Sequence, residues 1–224
     1  MKLGVVFFHK NINDIYKQRW IRLSIESMIN QTIKGLNFYE INYGDGDSIL
    51  GGYNVKKFKF YNQKFPNYAG AMNFIITKAF EDGCDYVFNT NLDDFYRLDR
   101  VEKELDLLKT ENYDIISSDF CYIGEFIDEK GQPYDKILRY MNIWRPANDI
   151  KLYLRNDHNI ISHPSVCYSK NFWEKNRYDE DQTPKEDLEL WKKTIERGYK
   201  FVIHPEILLY YRIHQNQESK NNGI

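Results

Sequence analysis

The first half of the chain alternates short apolar runs with segments of helical period, and no other feature restricts the fold as strongly. Leu3 to Phe8 reads as a first strand. Residues 16–31 carry Ile21, Ile25 and Met28 at i, i+4 and i+7, with Trp20 and Leu23 widening the stripe, and predict an amphipathic helix. Asn37 to Tyr43 and Val55 to Tyr61 read as the second and third strands. Met72, Ile75, Ile76, Ala79 and Phe80 fill the i, i+3, i+4, i+7, i+8 template, so a helix follows Gly70 and stops at Gly83. Asp85 to Phe88 is a fourth strand, Leu98, Val101, Leu105 and Leu108 mark another helix, and Asp114 to Ser118 is a further strand. Successive β-α-β units cross over right-handed and gather their loops at one sheet edge. The expected class is therefore α/β, with a mixed, mostly parallel sheet flanked by helices.

Beyond residue 118 the alternation fails. Asp128-Glu129-Lys130-Gly131 reads as a hairpin tip, and residues 141–158, with Pro146 and several Asn and Asp, read as an irregular loop. Ile160 to Tyr168 is a candidate strand, Pro184 to Arg197 a helix with Leu188, Trp191 and Ile195 on one face, and Ile207 to Ile213 a last strand. With 224 residues the chain can bury a proper core and is expected to form one domain, or one domain with a smaller appendage.

Several classes are disfavoured by composition. A formal net charge of -2, with no aromatic run interleaved with basic residues, leaves no footprint of a nucleic-acid binder. Cys84, Cys121 and Cys167 are odd in number and lack a Cys-x-x-Cys spacing, which fits a reducing compartment better than a disulfide framework or a zinc ribbon. No run approaches the ~20 apolar residues of a membrane helix, and the first apolar run is too short for a signal-peptide core. A soluble, cytoplasmic chain is expected; oligomeric state is not legible.

Two acidic stations carry the candidate chemistry. Asn91-Leu92-Asp93-Asp94 follows the fourth strand, where open α/β sheets bind ligands. One reading is a polar turn with Asp94 or Asp99 capping the next helix; the other makes Asp93 a hard oxygen ligand for Mg²⁺ or Mn²⁺, with a bound diphosphate completing the shell. At the second station, Thr183-Pro184-Lys185-Glu186 is a capping box that accounts for Glu186. Asp187, one position before Leu188 and four before Trp191, lies on or beside the apolar face and needs a partner or a purpose. A general base beside a metal-diphosphate site is one such purpose.

Weaker signals surround these stations. Arg212 and His214, two apart on an extended strand, project to one side, and suit phosphate and metal respectively unless they are ordinary surface residues. Asp45-Gly46-Asp47-Ser48 is either a turn or a base or ribose contact. Tyr68-Ala69-Gly70-Ala71 is either the plain start of a helix or a place where backbone amides meet an anion. A lone histidine in an apolar strand is more often structural than a ligand; His204, beside Pro205, reads that way, and His163 carries the same caution.

Taken in order, these segments resemble glycosyltransferase family 2, enzymes of the GT-A nucleotide-sugar-binding fold. Ser24-Ile25-Glu26-Ser27-Met28-Ile29-Asn30-Gln31-Thr32 is similar to the family's first helix, Asp45-Gly46 to the Asp-Gly after its second strand, and Asn67 to Asn73 to its Asn-x-Gly-x-x-x-x-Asn region, slightly displaced. Asn91-Leu92-Asp93-Asp94 resembles its Asp-x-Asp-Asp, and His163-Pro164-Ser165, Glu186 to Trp191 and Tyr211-Arg212-Ile213-His214 follow in the expected sequence. Asn91 stands where the signature has its first Asp, and Asp47 where a serine is usual.

The resemblance implies a single domain over residues 1–224, with 1–118 as the nucleotide-binding half and 119–224 as the acceptor-side and catalytic half, and an inverting transfer of a sugar from a nucleotide sugar, a UDP-sugar, to a glycan, protein or lipid-linked acceptor hydroxyl. It implies Asp45 on the base, His9 to Asn11 as pocket floor, and Asn67, Gly70, Asn73 and Asn91 on the donor. Asp93 would bind a divalent cation, Mn²⁺ or Mg²⁺, with His214 as a further ligand, Arg212 would steady the leaving phosphate, and Asp187 would be the base. The Gln-x-x-Arg-Trp motif of processive synthases is missing, so transfer of a single sugar is expected. Two rivals remain: a nucleotide-sugar-binding module without turnover, which Asn91 favours, and a sugar nucleotidyltransferase, whose glycine-rich basic loop Phe7 to Asn13 does not offer.

Overall fold

The computed structural model describes residues 1–141, 147–182, 185–215 and 217, which form one mixed sheet with helices on both faces. β1 (Leu3–His9) is flanked by β2 (Asn37–Asn42) and β4 (Tyr86–Phe88), and β3 (Phe58–Asn62) adds to β2; all these pairings are parallel. Every residue of β1 is buried. Leu3, Val5 and Phe7 enter a core shared with α2 (Gln18–Ile29) and α4 (Arg100–Leu107), while Val6 and Phe8 enter the opposite core with α3 (Tyr68–Glu81) and α7 (Glu186–Ile195). A strand covered on both faces is written as a continuous apolar run. The helices α2, α3 and α4 fall where periodicity expects them; a single turn, α1 (Ile12–Ile15), precedes α2, and a short α6 (Lys170–Lys175) comes later in the chain.

From β4 the sheet changes sense. β8 (Cys167–Ser169) runs antiparallel to β4 and meets the first two residues of β6 (Ile115–Ile127). β9 (Phe201–Arg212) lies parallel along the other edge of β6, and the two-residue β5 (Phe95–Tyr96) closes that side. The outer half of β6, from Phe120 to Ile127, turns back into β7 (Pro133–Met141) as a long hairpin. Its tip falls at Asp128, whose Oδ1 accepts the N–H groups of Lys130 and Gln132 at 2.9 and 2.7 Å. The junction between residues 118 and 119 lies inside β6, at a break in its register with β9.

Four expectations need correction. The strand opening at residue 115 does not end at Ser118 but runs on into the hairpin. Residues 141–158 are not an irregular loop throughout: α5 (Ala147–Arg155) occupies much of the segment and buries Ile150 and Leu154, four apart on one helical face. Residues 160–168 form a strand only at their end, after a 3-10 turn over His163–Ser165, because Pro164 has no N–H to give a ladder. The last strand begins at Phe201, well before Ile207. Pro205 and Glu206 fall where the register jumps from His204 opposite Ser118 to Ile207 opposite Asp119, so the proline sits at a bulge rather than ending the strand. Thr183 and Pro184, the expected cap of α7, lie outside the described residues. The three cysteines are buried and free, and no helix among the described residues is long and apolar enough to cross a membrane.

Glu40 fixes the sheet edge that carries the site. This fully buried carboxylate of β2 accepts His9 Nε2–H at 2.8 Å, Ser48 Oγ–H at 2.7 Å, and the N–H groups of Ile49 and Leu50 at 2.7 and 3.1 Å. It ties the end of β1 to the loop after β2, and its charge is balanced by donors at every turn. Truncation would leave those donors buried without an acceptor. Glu40→Ala is expected to cost about 3 kcal/mol, lowering the melting temperature by roughly 6–12 °C for a chain of this size, as read by thermal unfolding.

Candidate active site

The loops after β1 and β2 meet directly above Glu40. Tyr43 N–H donates to His9 O at 3.0 Å, and a Cβ on Gly44 would stand 2.7 Å from Lys10 Cγ and 3.1 Å from Asn11 Oδ1, so only glycine permits the contact. Asn11 is held in the left-handed region, φ 50°. The structure thus brings His9, Asn11 and Asp45 to one edge, in different roles. His9 is buried against Glu40, whereas Asp45 is exposed and pairs with Lys64 at 2.9 Å.

At the end of β4 the first acidic station meets the end of β9. His214 Nε2 lies 2.9 Å from Asp93 Oδ2, and the buried Arg212 donates from Nε to Asp93 O at 2.8 Å. Arg212 N–H donates to Asp94 Oδ1 at 2.8 Å. Burial first, and then the neighbouring Asp93, push the Asp94 carboxyl well above its usual range. Asp94 therefore pins β9, while Asp93 faces the imidazole. Asn91 is anchored through its backbone, its N–H donating to Tyr96 Oη at 2.8 Å and its carbonyl accepting Ser24 Oγ–H at 2.7 Å. Asn91 Oδ1 and Asp93 Oδ1 are buried and find no hydrogen-bond partner among the described residues. Trp20 of α2 lies against Arg212 and His214, its ring centroid 5.0 Å from the Arg212 guanidinium carbon and 5.0 Å from the His214 ring, which is tilted 49° to it. A cavity of about 630 Å³ opens beside these groups, lined by Tyr16, Lys17, Trp20, Glu125 and His214.

A carboxylate of the chain itself, Glu180, lies against the first turns of α3, where the Asn73 side chain bonds it. Asn67 caps the helix by accepting Gly70 N–H at 3.0 Å and donates to Glu180 O at 2.7 Å. Asn73 Nδ2 donates to Tyr178 O at 3.0 Å and to Glu180 Oε1 at 3.2 Å, while Asn73 Oδ1 accepts Tyr178 N–H. A Cβ on Gly70 would meet Glu180 Oε2 at 3.0 Å. Asn67, Gly70 and Asn73 thus come together, but engaged with the segment that leads to Asp187.

Asp187 is half-buried in the first turn of α7 and accepts Asn159 Nδ2–H at 2.8 Å. Beneath it lies a chain of polar rings: His163 Nδ1 is 3.0 Å from Tyr68 Oη, His163 Nε2 is 2.8 Å from Tyr178 Oη, and Tyr178 Oη bonds Tyr168 Oη. Burial pulls the His163 imidazole below its usual pKa, with the Asp187 charge opposing. The two stations are linked through Asn89, just after β4, whose Nδ2 donates to His163 O at 3.0 Å.

Sequence reasoning missed Glu40, Trp20, Asn159 and Glu180 as members of this edge. Glu40 had a signal, a carboxylate inside an apolar strand run; the others bond to segments remote in sequence.

No family model matches the sequence. The chain is 27% identical over 207 residues, 88% of its length and 67% of the relative's, to the uncharacterized glycosyltransferase MJ1057 of Methanocaldococcus jannaschii. Two uncharacterized glycosyltransferases of Haemophilus influenzae are 29% identical over 66% of this chain and 54% of the relative, and 25% identical over 90% and 64%. The chain therefore spans between 54% and 67% of the length of these relatives. Among solved structures, residues 1–349 of S. aureus TarS in complex with UDP-GlcNAc superpose with a TM-score of 0.70 over 100% of this chain and 62% of that one, at 13% identity. The same TarS segment with UDP gives 0.62 over 95% and 61%. At that identity the likeness is one of fold: a mixed, mostly parallel α/β sheet flanked by helices.

A depressed histidine favours folding where it is neutral, and that contribution fades as pH falls from the unfolded pKa, near 6.5, toward the folded one. The stability advantage of the wild type over His163→Gln is expected to be largest above about pH 7 and to shrink toward about pH 5.5, as measured by urea unfolding at both ends.

Proposed function

We propose that the chain is an inverting glycosyltransferase that moves a single sugar from a nucleotide sugar, a UDP-sugar, to an acceptor hydroxyl. The observation that carries this reading is the meeting of Asp93 and His214 at 2.9 Å over the buried Arg212, at the carboxyl end of β4. The likeness to proteins described as glycosyltransferases and the fold shared with TarS, crystallised with UDP-GlcNAc, support it.

The donor lies across the ends of β2, β1 and β4, with its base near Asn11 and Asp45 and its diphosphate in the cavity beside His214. Among the described residues no three His, Cys, Asp or Glu side chains converge on one point. The orphaned Asp93 Oδ1 and the adjacent imidazole nonetheless fit a divalent cation whose other ligands come from the diphosphate, once His214 carries its proton on Nδ1. When bound, that cation would offset charge developing on the leaving group. Arg212, its Nη2 buried without a partner, adds a fixed positive charge at the same place.

Asp187 accepts the proton of the acceptor hydroxyl as the oxygen bonds to the anomeric carbon and the bond from that carbon to the diphosphate breaks. Asn159 orients the carboxylate, and the first-turn amides of α7 favour its charge. In one displacement the acceptor oxygen replaces the diphosphate on the opposite face of the sugar, which is inversion.

Thermal-shift screening of nucleotide sugars, UDP-GlcNAc among them, with and without Mn²⁺, identifies the donor, and release of UDP reports turnover. Asp187→Asn is expected to bind donor as the wild type does and to lose about 10²–10⁴-fold in rate; a loss within a few fold overturns the base assignment. Asp93→Asn is expected to abolish any dependence on added cation. Donor binding with no release of UDP would leave a nucleotide-sugar-binding module in place of an enzyme.

A further inference from the structure

The hairpin of β6 and β7 carries a contradiction within itself. Glu125 and Asp135 are direct cross-strand partners, and like charges facing each other across a ladder destabilise it. Nothing inside the hairpin neutralises them; the cations come from elsewhere. Arg19 of α2 straddles the pair, Nη1 3.2 Å from Glu125 and Nη2 2.8 Å from Asp135. Lys17 bonds Glu125, Trp20 Nε1–H donates to Glu125 at 2.9 Å, and Arg212 Nη1 donates to Asp135. Burial would raise the Asp135 carboxyl, but the hydrogen bonds from Arg212 and Arg19 outweigh it and hold it below the usual range.

The geometry of Arg212 gives this arrangement a purpose. Its guanidinium is fully buried and held on three sides: Nε on Asp93 O, Nη1 on Asp135, and one ring face over Trp20. Among the described residues Nη2 finds no hydrogen-bond partner. A planar fork with two of its nitrogens hydrogen-bonded and its carbon 5.0 Å from the centre of an indole has little rotational freedom, so the direction of the remaining N–H groups is fixed. Glu125 in turn holds the indole edge against which Arg212 stacks.

We propose that Asp135 is a positioning residue, supplied by the hairpin, that locks Arg212 so that Nη2 meets the diphosphate of the donor. The inference rests on the donor site proposed above. The hairpin thereby becomes part of the nucleotide-binding apparatus, although it lies on the half of the chain remote from β1 and β2.

UDP and uridine serve as probes, since uridine has no phosphate for Arg212 to reach. Asp135→Ala is expected to weaken UDP binding about tenfold or more, read by calorimetry, while its affinity for uridine, read by NMR titration, stays within twofold of wild type. Asp135→Glu is expected to recover part of the loss. In the Arg212→Ala background, Asp135→Ala is expected to add nothing, the signature of two residues acting as one. Equal losses for UDP and uridine, or additive losses in the double variant, would overturn the proposal as a mere effect on the fold. If Arg212→Ala weakens UDP binding and Asp135→Ala does not, the positioning role falls and the donor site stands. If Arg212→Ala is itself without effect, or the wild type binds no UDP, both fall.

Discussion

A fully buried guanidinium cannot be left to itself, and the candidate site is arranged around that constraint. Taking a cation out of water costs several kcal/mol unless its hydrogen bonds and its charge are met inside. The Arg212 guanidinium satisfies the condition by drawing on three separate places in the sequence, the backbone oxygen of Asp93, Asp135 of the hairpin and the face of Trp20, while the backbone N–H of Arg212 donates to Asp94. Each partner is constrained in return. The end of β9 is pinned to the end of β4, the hairpin is pinned to α2, and His214, two residues on, is delivered to Asp93.

The opposite end of the site is built on hydrogen bonds to neutral groups. Asp187 rests on an asparagine and lies over a file of tyrosines and one histidine, with Asn89 tying that file to β4. The two ends therefore differ in electrostatic character. One presents fixed charges that are matched against each other, and the other presents a single carboxylate among polar rings. Such a division suits a reaction in which negative charge develops on one partner while a proton leaves the other.

What could be read from the sequence follows a simple rule of range. β1, α2 and α3 were legible because the cause of each lies within its own segment, in the run or the period of its apolar residues. Asp93, Arg212 and His214 were legible as candidates because strand spacing places Arg212 and His214 on one side and a strand end carries Asp93. Asp135 was not, since its importance depends on standing opposite Glu125 in a hairpin whose register no local pattern states. The bulge at Pro205 hid the start of β9 for a related reason: a proline argues against a strand until its neighbour's register is known. Asn67, Gly70 and Asn73 were recognised as a group, but the carboxylate they hold comes from more than a hundred residues further on.

That internal carboxylate has a bearing on how the site would handle charge. In many nucleotide-binding sheets the amino terminus of a helix receives the phosphates directly, and its dipole does part of the work a metal would otherwise do. Here the helix after β3 already faces Glu180, whose Oε1 accepts from Asn73 and whose Oε2 crowds Gly70. A diphosphate brought to the end of β4 would find that electrostatic help already engaged. Its compensation would fall to the β9 side, to Arg212 and to any cation held by Asp93 and His214, while the dipole of the helix after β3 is turned toward Glu180, in the segment that leads to α7.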